Sequence, residues 1–173
     1  MLQEAIEALK LGLEDEAPQE AWSPQIQTGT PVTIPEDYIE DPTLRVQLYR
    51  RMATLESDAD IEGFAAEMID RFGPMPPEVE QLMTLTAIKA LCRRAHVEKV
   101  EAGPKGVIVG FREDSFANPA GLVRFVAQQG REAKVRPDMR VVFMRDFETI
   151  PARLEGARQI LRTLVGLAEK RAA

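Results

Sequence analysis

The chain has 173 residues, 45% hydrophobic and 29% charged, and 22 Lys+Arg against 28 Asp+Glu give it a formal net charge of −6. That length makes one domain with an appended segment at most, and it buries enough surface to need no disulfide or metal staple. One cysteine, Cys92, excludes a disulfide framework and a Cys-rich zinc site; one histidine, His96, excludes a two-histidine metal motif; and no apolar run is long enough to span a membrane.

The net charge hides an asymmetry. Residues 1–75 hold 5 basic and 16 acidic side chains, whereas residues 76–173 hold 17 and 12. Such a split predicts two surfaces with different partners. The first residues carry no signal pattern, so the protein is expected in a reducing cytoplasm.

Met1–Lys10 reads as a short helix, with Leu2, Ala5, Ile6 and Leu9 on one face, too short to stand alone. Residues 13–37 hold four prolines and no helical period, and read as a linker that becomes a tether on the domain. Val32–Ile34 is at most an edge strand, and Trp22 and Ile26 are candidate anchors. Asp41-Pro42 then caps a helix with the stripe Leu44, Leu48, Met52, Leu55 and with Tyr49 beside it. Ser57 or Asp58 caps a second helix, whose apolar residues Ile61, Phe64, Ala65, Met68, Ile69 and Phe72 give the clearest helical period in the chain.

Gly73-Pro74 stops that helix, the glycine in a left-handed cap. Pro76-Pro77-Glu78 starts a third helix, which runs to about Ala95. The period then changes to two. Val97–Ala102 and Gly106–Phe111 flank Gly103-Pro104-Lys105 as a hairpin. A helix after Asn118-Pro119, strands over Ala133–Arg136 and Arg140–Met144, and a helix entering at Thr149-Ile150-Pro151 complete the chain. The order, N-terminal helices and then a β-β-α-β-β-α module, predicts an α+β fold with a small, mostly antiparallel sheet.

The usual phosphate-binding and nucleophile fingerprints are missing from the sequence. Gly103-Pro104-Lys105-Gly106 has the ingredients of a phosphate turn, but it joins two strands and offers no helix N-terminus to an anion. Cys92 and His96 share a helix face, which would suit a thiolate–imidazole pair, yet Cys92 continues an apolar stripe and reads as a small core residue. Arg93, Arg94, Arg131, Lys134, Arg136, Arg140 and Arg145 would neutralise phosphates, which keeps a nucleic-acid-binding module as the alternative reading. Stacking aromatics are scarce, at 6% of the chain.

The informative surface is on the second helix. Glu67 and Asp70 lie opposite its apolar stripe, one turn apart, with Asp60 above Glu67. Gly63 and Ala66 lie between them, and their small side chains leave the carboxylates standing proud. A mid-helix glycine costs about 1 kcal/mol relative to alanine, so Gly63 needs a reason such as the close approach of another group. Carboxylates at this spacing fit the arginine fork of a partner. As a general acid and base they would lack an apolar cleft to split their pKa values.

Three strings then point to a family: Ile34-Pro35-x-x-Tyr38-Ile39, Arg45-x-x-x-Tyr49-Arg50-Arg51-Met52-Ala53, and Glu67-Met68-Ile69-Asp70-Arg71-Phe72-Gly73-x-Met75-Pro76. With Val97-Glu98-Lys99-Val100-Glu101 and the Asn118-Pro119 helix start, they resemble the C-terminal domain of bacterial transcription-repair coupling factor. The resemblance covers essentially the whole chain. It implies that residues 1–37 are a helix and Pro-rich linker continuing from a motor domain, and that residues 38–173 are a C-terminal regulatory domain.

The resemblance also implies a parent that is an ATP-dependent DNA translocase, which displaces stalled RNA polymerase and recruits the excision-repair protein UvrA. This domain would then be non-catalytic and autoinhibitory, docking on the UvrA-binding module of the same parent chain and masking it. Glu67 and Asp70, flanked by Asp60 and Gly63, would meet arginines of that module. ATP, magnesium and DNA would be bound only by other parts of the parent, and no cofactor or metal is expected here. His96 departs from the family, which more often has glycine there.

Overall fold

The protein's structure, a computed structural model, describes residues 22–29 and 32–172. The helix expected over Met1–Lys10 lies outside the described residues. Helix α1 spans Pro42–Thr54 and starts where the Asp41 side chain accepts a hydrogen bond from the Thr43 N–H. Helix α2 spans Asp58–Phe72, and Ser57 rather than Asp58 is its cap, its hydroxyl accepting from the Asp60 N–H at 3.0 Å. Helix α3 spans Pro77–Ala95, α4 spans Pro119–Gln128 from an Asn118 cap, and α5 spans Ile150–Ala172 behind Thr149. Among the described residues no helix is long and apolar enough to cross a membrane.

Two helix ends differ from simple expectation. Gly73 has a positive φ of 91° but an extended ψ of −172°, so it is not a left-handed helical cap. The reason is Pro74: a residue before proline is pushed towards extended ψ by the ring. His96 does take the left-handed conformation, with φ 63° and ψ 35°, although it carries a side chain. Its ring packs edge-on against Trp22, with centroids 5.8 Å apart.

The sheet has five strands in the order β1-β2-β3-β5-β4. The strands β2 (Val97–Gly103), β3 (Gly106–Phe111), β4 (Ala133–Val135) and β5 (Val141–Met144) pair antiparallel, as the alternation predicts. The edge strand β1 is the departure. It lies at Gln25–Gln27, not Val32–Ile34, and it runs parallel to β2 with Ile26 opposite Val100.

Alternation puts Val100, Ala102, Val107, Val109, Val141 and Phe143 on the inner face, all buried. They meet Leu154, Leu161 and Leu164 of α5 and Ile88 and Cys92 of α3 in one core. A second core is helical: Ile34, Ile39, Leu48, Met52, Phe64, Met68 and the first half of α3 through Val79, Leu82 and Met83. Helix α3 therefore belongs to both cores, and Leu85 packs against each. At mid-helix its residues change from filling the helical layer to covering the sheet.

Candidate protein-docking site

The strings that carry the family resemblance resolve, in space, into a clasp around α1 and α2. The Tyr49 hydroxyl accepts a hydrogen bond from the Ile34 N–H at 2.6 Å. Arg45 donates from Nη1 to the carbonyls of Ile39 (2.6 Å) and Glu40 (3.1 Å). The Tyr38 hydroxyl donates to the Gly73 carbonyl at 2.9 Å, close to the Met68 carbonyl at 3.3 Å. Three side chains thereby satisfy backbone groups that no regular element pairs, and they bind the 34–40 segment to the ends of both helices. Burial raises the pKa of the Tyr49 phenol, and its bond to the Ile34 N–H opposes that rise.

Glu67 belongs to the same clasp. Arg51, at the end of α1, holds it with both guanidinium nitrogens, Nη1 on Oε2 and Nη2 on Oε1 at 2.9 Å. Arg71, one turn along α2, adds Nη1 on Oε2 at 3.1 Å. Each arginine also lies on a phenylalanine ring, Arg51 over Phe64 and Arg71 over Phe72, both at 4.9 Å to the centroid. The Arg51 bonds first, and the Arg71 bond second, hold the Glu67 carboxyl down at about 2. This carboxylate is occupied within its own chain and does not stand clear of the surface.

Asp70 differs. It is exposed, and its carboxylate makes no hydrogen bond or ion pair among the described residues. Asp60 is likewise exposed; its backbone N–H serves the Ser57 cap while its side chain is unpaired among the described residues. Gly63 sits between them, and a Cβ built on it would meet nothing within 4 Å. The close neighbour that a mid-helix glycine calls for is therefore not among the chain's own described residues. Ala66 is exposed beside it, so Asp60, Gly63, Ala66 and Asp70 form a shallow strip one side chain deep along α2.

Ile69 borders this strip at 48% exposure, although its spacing places it in the apolar stripe. Phe64 and Met68 are the α2 residues buried in the helical core, with Ile61, Ala65 and Phe72 packed against it, and among the described residues Ile69 does not join them. The candidate face thus combines two carboxylates without a partner among the described residues, Asp60 and Asp70, with an open backbone and a partly exposed isoleucine. Sequence reasoning found the acidic residues and the glycine but missed Ile69. Arg51 was also missed as the partner of Glu67, and the signal for it is the short Leu55–Ser57 link, which makes α1 and α2 neighbours.

Elsewhere, Cys92 is buried and its thiol is pushed up to about 12 by that burial, which leaves it unreactive. The Gly103–Gly106 turn is the β2–β3 hairpin, and Gly106 is required there: with φ 148°, its Cβ position lies 2.0 Å from the Phe143 carbonyl oxygen.

Comparison with known proteins is consistent along the chain. The model of the TRCF domain family matches residues 28–122, which include the whole α1–α2 clasp. The transcription-repair-coupling factor of Rickettsia typhi is 33% identical over 147 residues, 84% of this chain and 13% of that protein. That of Escherichia coli is 29% identical over 168 residues, 95% of this chain and 14% of its own length. That of Bacillus subtilis is 34% identical over 137 residues, 76% of this chain and 11% of its own length. The chain thus spans between 11% and 14% of these relatives. Its fold is like a crystal structure of the C-terminal domain of a transcription-repair coupling factor, with a TM-score of 0.66, 19% identity, and coverage of 86% of this chain and 96% of that one.

Proposed function

This chain belongs to the TRCF domain family, and from that premise we propose that it is a non-catalytic regulatory domain of a coupling factor, built to dock on another module of its parent. The parent would be an ATP-dependent DNA translocase acting with RNA polymerase and UvrA. The docking partner would be its UvrA-binding module, which this domain would mask until the motor engages. No residue of the candidate face is placed for acid–base or nucleophilic work, so the contribution is binding alone.

One observation carries this reading: of the two carboxylates in the Glu67–Asp70 string, Asp70 has no partner among the described residues. An arginine of the docking module would supply one, and the open backbone at Gly63 would let it approach. Glu67 would act one step back, keeping α1 and α2 in register so that Asp70 is presented at a fixed height.

The test is reversal at Asp70 alone. Asp70→Arg leaves the Arg51–Glu67–Arg71 cluster intact, so folding should be unchanged while binding to the UvrA-binding module in a pull-down is lost. Reversal at Glu67 would break the clasp and confuse docking with folding. Undiminished binding by a folded Asp70→Arg protein would remove this face from the docking site.

A further inference from the structure

The side of the sheet opposite β1 ends in an open edge. Strand β4 is last in the strand order and pairs only with β5 among the described residues. At the turn between them the Arg136 N–H donates inward to the Arg140 carbonyl at 2.8 Å. Alternation along an antiparallel strand then aims the N–H and C=O of Val135 and Ala133 off the sheet. There they meet no hydrogen-bond partner among the described residues, and they are the groups with which an added strand would pair.

The rows of side chains that cross the sheet end differently on its two faces. On the covered face Ile26, Val100, Val109, Val141 and Val135 stand opposite one another in successive strands. Val100, Val109 and Val141 are buried, but Val135, the last of the row, is 44% exposed. On the other face the neighbouring row runs Gln27, Glu101, Ile108, Val142, Lys134, and it ends on an exposed cation.

The charge around this edge has one sign. Residues 119–145, which hold α4, β4 and β5, carry six basic and two acidic side chains. Arg136 is engaged by Asp138 and Arg145 by Gln129. Arg124, Arg131 and Lys134 make no ion pair or hydrogen bond among the described residues.

We propose that β4 is a docking edge for an acidic extended segment of a partner protein, which adds to the sheet as a further strand. Its backbone pairs with Ala133 and Val135, a β-branched residue continues the valine row, and the carboxylates that alternate with it face Lys134. Charge selects this occupant. A second copy of the chain, paired edge to edge about a twofold axis, would set Lys134 against Lys134. A nucleic acid would meet the cations but leave the strand's backbone groups and the exposed valine unmatched. The inference uses no residue of α2, so its failure leaves the reading of Asp70 untouched.

The full chain is titrated, by fluorescence anisotropy, with a short fluorescein-labelled peptide in which glutamate alternates with valine. A matched peptide has lysine in place of glutamate. Saturable binding of the acidic peptide is expected, with the lysine peptide at least roughly tenfold weaker. Lys134→Glu should weaken the acidic peptide and improve the lysine peptide, a reversal that loss of folding cannot produce. N-methylation of the valine amides, and separately of the glutamate amides, distinguishes strand pairing from charge alone, because only one of the two sets faces β4. One methylated peptide should lose binding and the other keep it.

Equal binding of the acidic and lysine peptides, binding indifferent to Lys134→Glu, or equal behaviour of the two methylated peptides would overturn the proposal. So would binding of a single-stranded oligothymidylate without binding of the acidic peptide, which would assign the cations to phosphates.

Discussion

Replacing Gly63 by alanine separates folding from docking more cleanly than any charge change. Gly63 lies inside the 15-residue helix α2, without a positive φ, and its Cβ position is empty to 4 Å. The substitution therefore creates no clash, and the intrinsic helix preference of alanine should appear almost undiminished, about 0.8–1.0 kcal/mol of added stability. For a chain of this size that corresponds to a rise in Tm of about 2–4 °C.

Gly63→Met adds a longer side chain in the same empty space. It should also stabilise the isolated domain while weakening its capture by the UvrA-binding module. Calorimetry and urea denaturation measure the first quantity, and a pull-down or titration with the module measures the second. Stability and affinity should move in opposite directions. A fall in Tm for Gly63→Ala would refute the reasoning, because it would mean that something within the chain already fills that space.

Three further outcomes follow from the clasp and the core. Tyr49→Phe removes the acceptor of the Ile34 N–H and should cost about 1–3 kcal/mol in urea denaturation; an unchanged midpoint would mean that water replaces the hydroxyl. The stability difference between the wild type and Glu67→Gln should be fully present above the unfolded carboxyl value of about 4.3. It should shrink as the pH falls towards about 2, where the folded carboxylate takes up its proton. A difference that grew on acidification would contradict the arginine clasp. Cys92 should resist a thiol reagent until denaturant opens the core, and rapid labelling of the native chain would contradict its burial.

What the sequence made legible was whatever is decided locally. Asp41, Ser57 and Asn118 cap helices because their side chains reach N–H groups two or three residues on, and such spacing is visible without a fold. The hairpin at Gly103–Gly106 was equally plain. Strand β1 was not, because Gln25, Ile26 and Gln27 alternate too briefly to show a period, and their pairing is with Lys99, Val100 and Glu101 on the far side of three helices. A helical wheel likewise placed Glu67 correctly on the polar side of α2 but contained no information about α1, where Arg51 waits to hold it. Ile69 failed for the converse reason: its spacing is apolar, but the described residues leave it about half exposed.

The parallel edge strand has a mechanical consequence. Because β1 lies alongside β2 with its ladder across the chain direction, tension on the residues before Trp22 loads the pairs at Gln25, Ile26 and Gln27 together, in shear, and does not peel them off one at a time. Behind them, Arg153 of α5 donates to the Thr28 carbonyl at 3.2 Å and anchors the trailing end of the strand to the longest helix. A pull from that side is thus delivered to the sheet core before it reaches the α1–α2 clasp, which leaves the proposed docking face the last part of the domain to feel the strain.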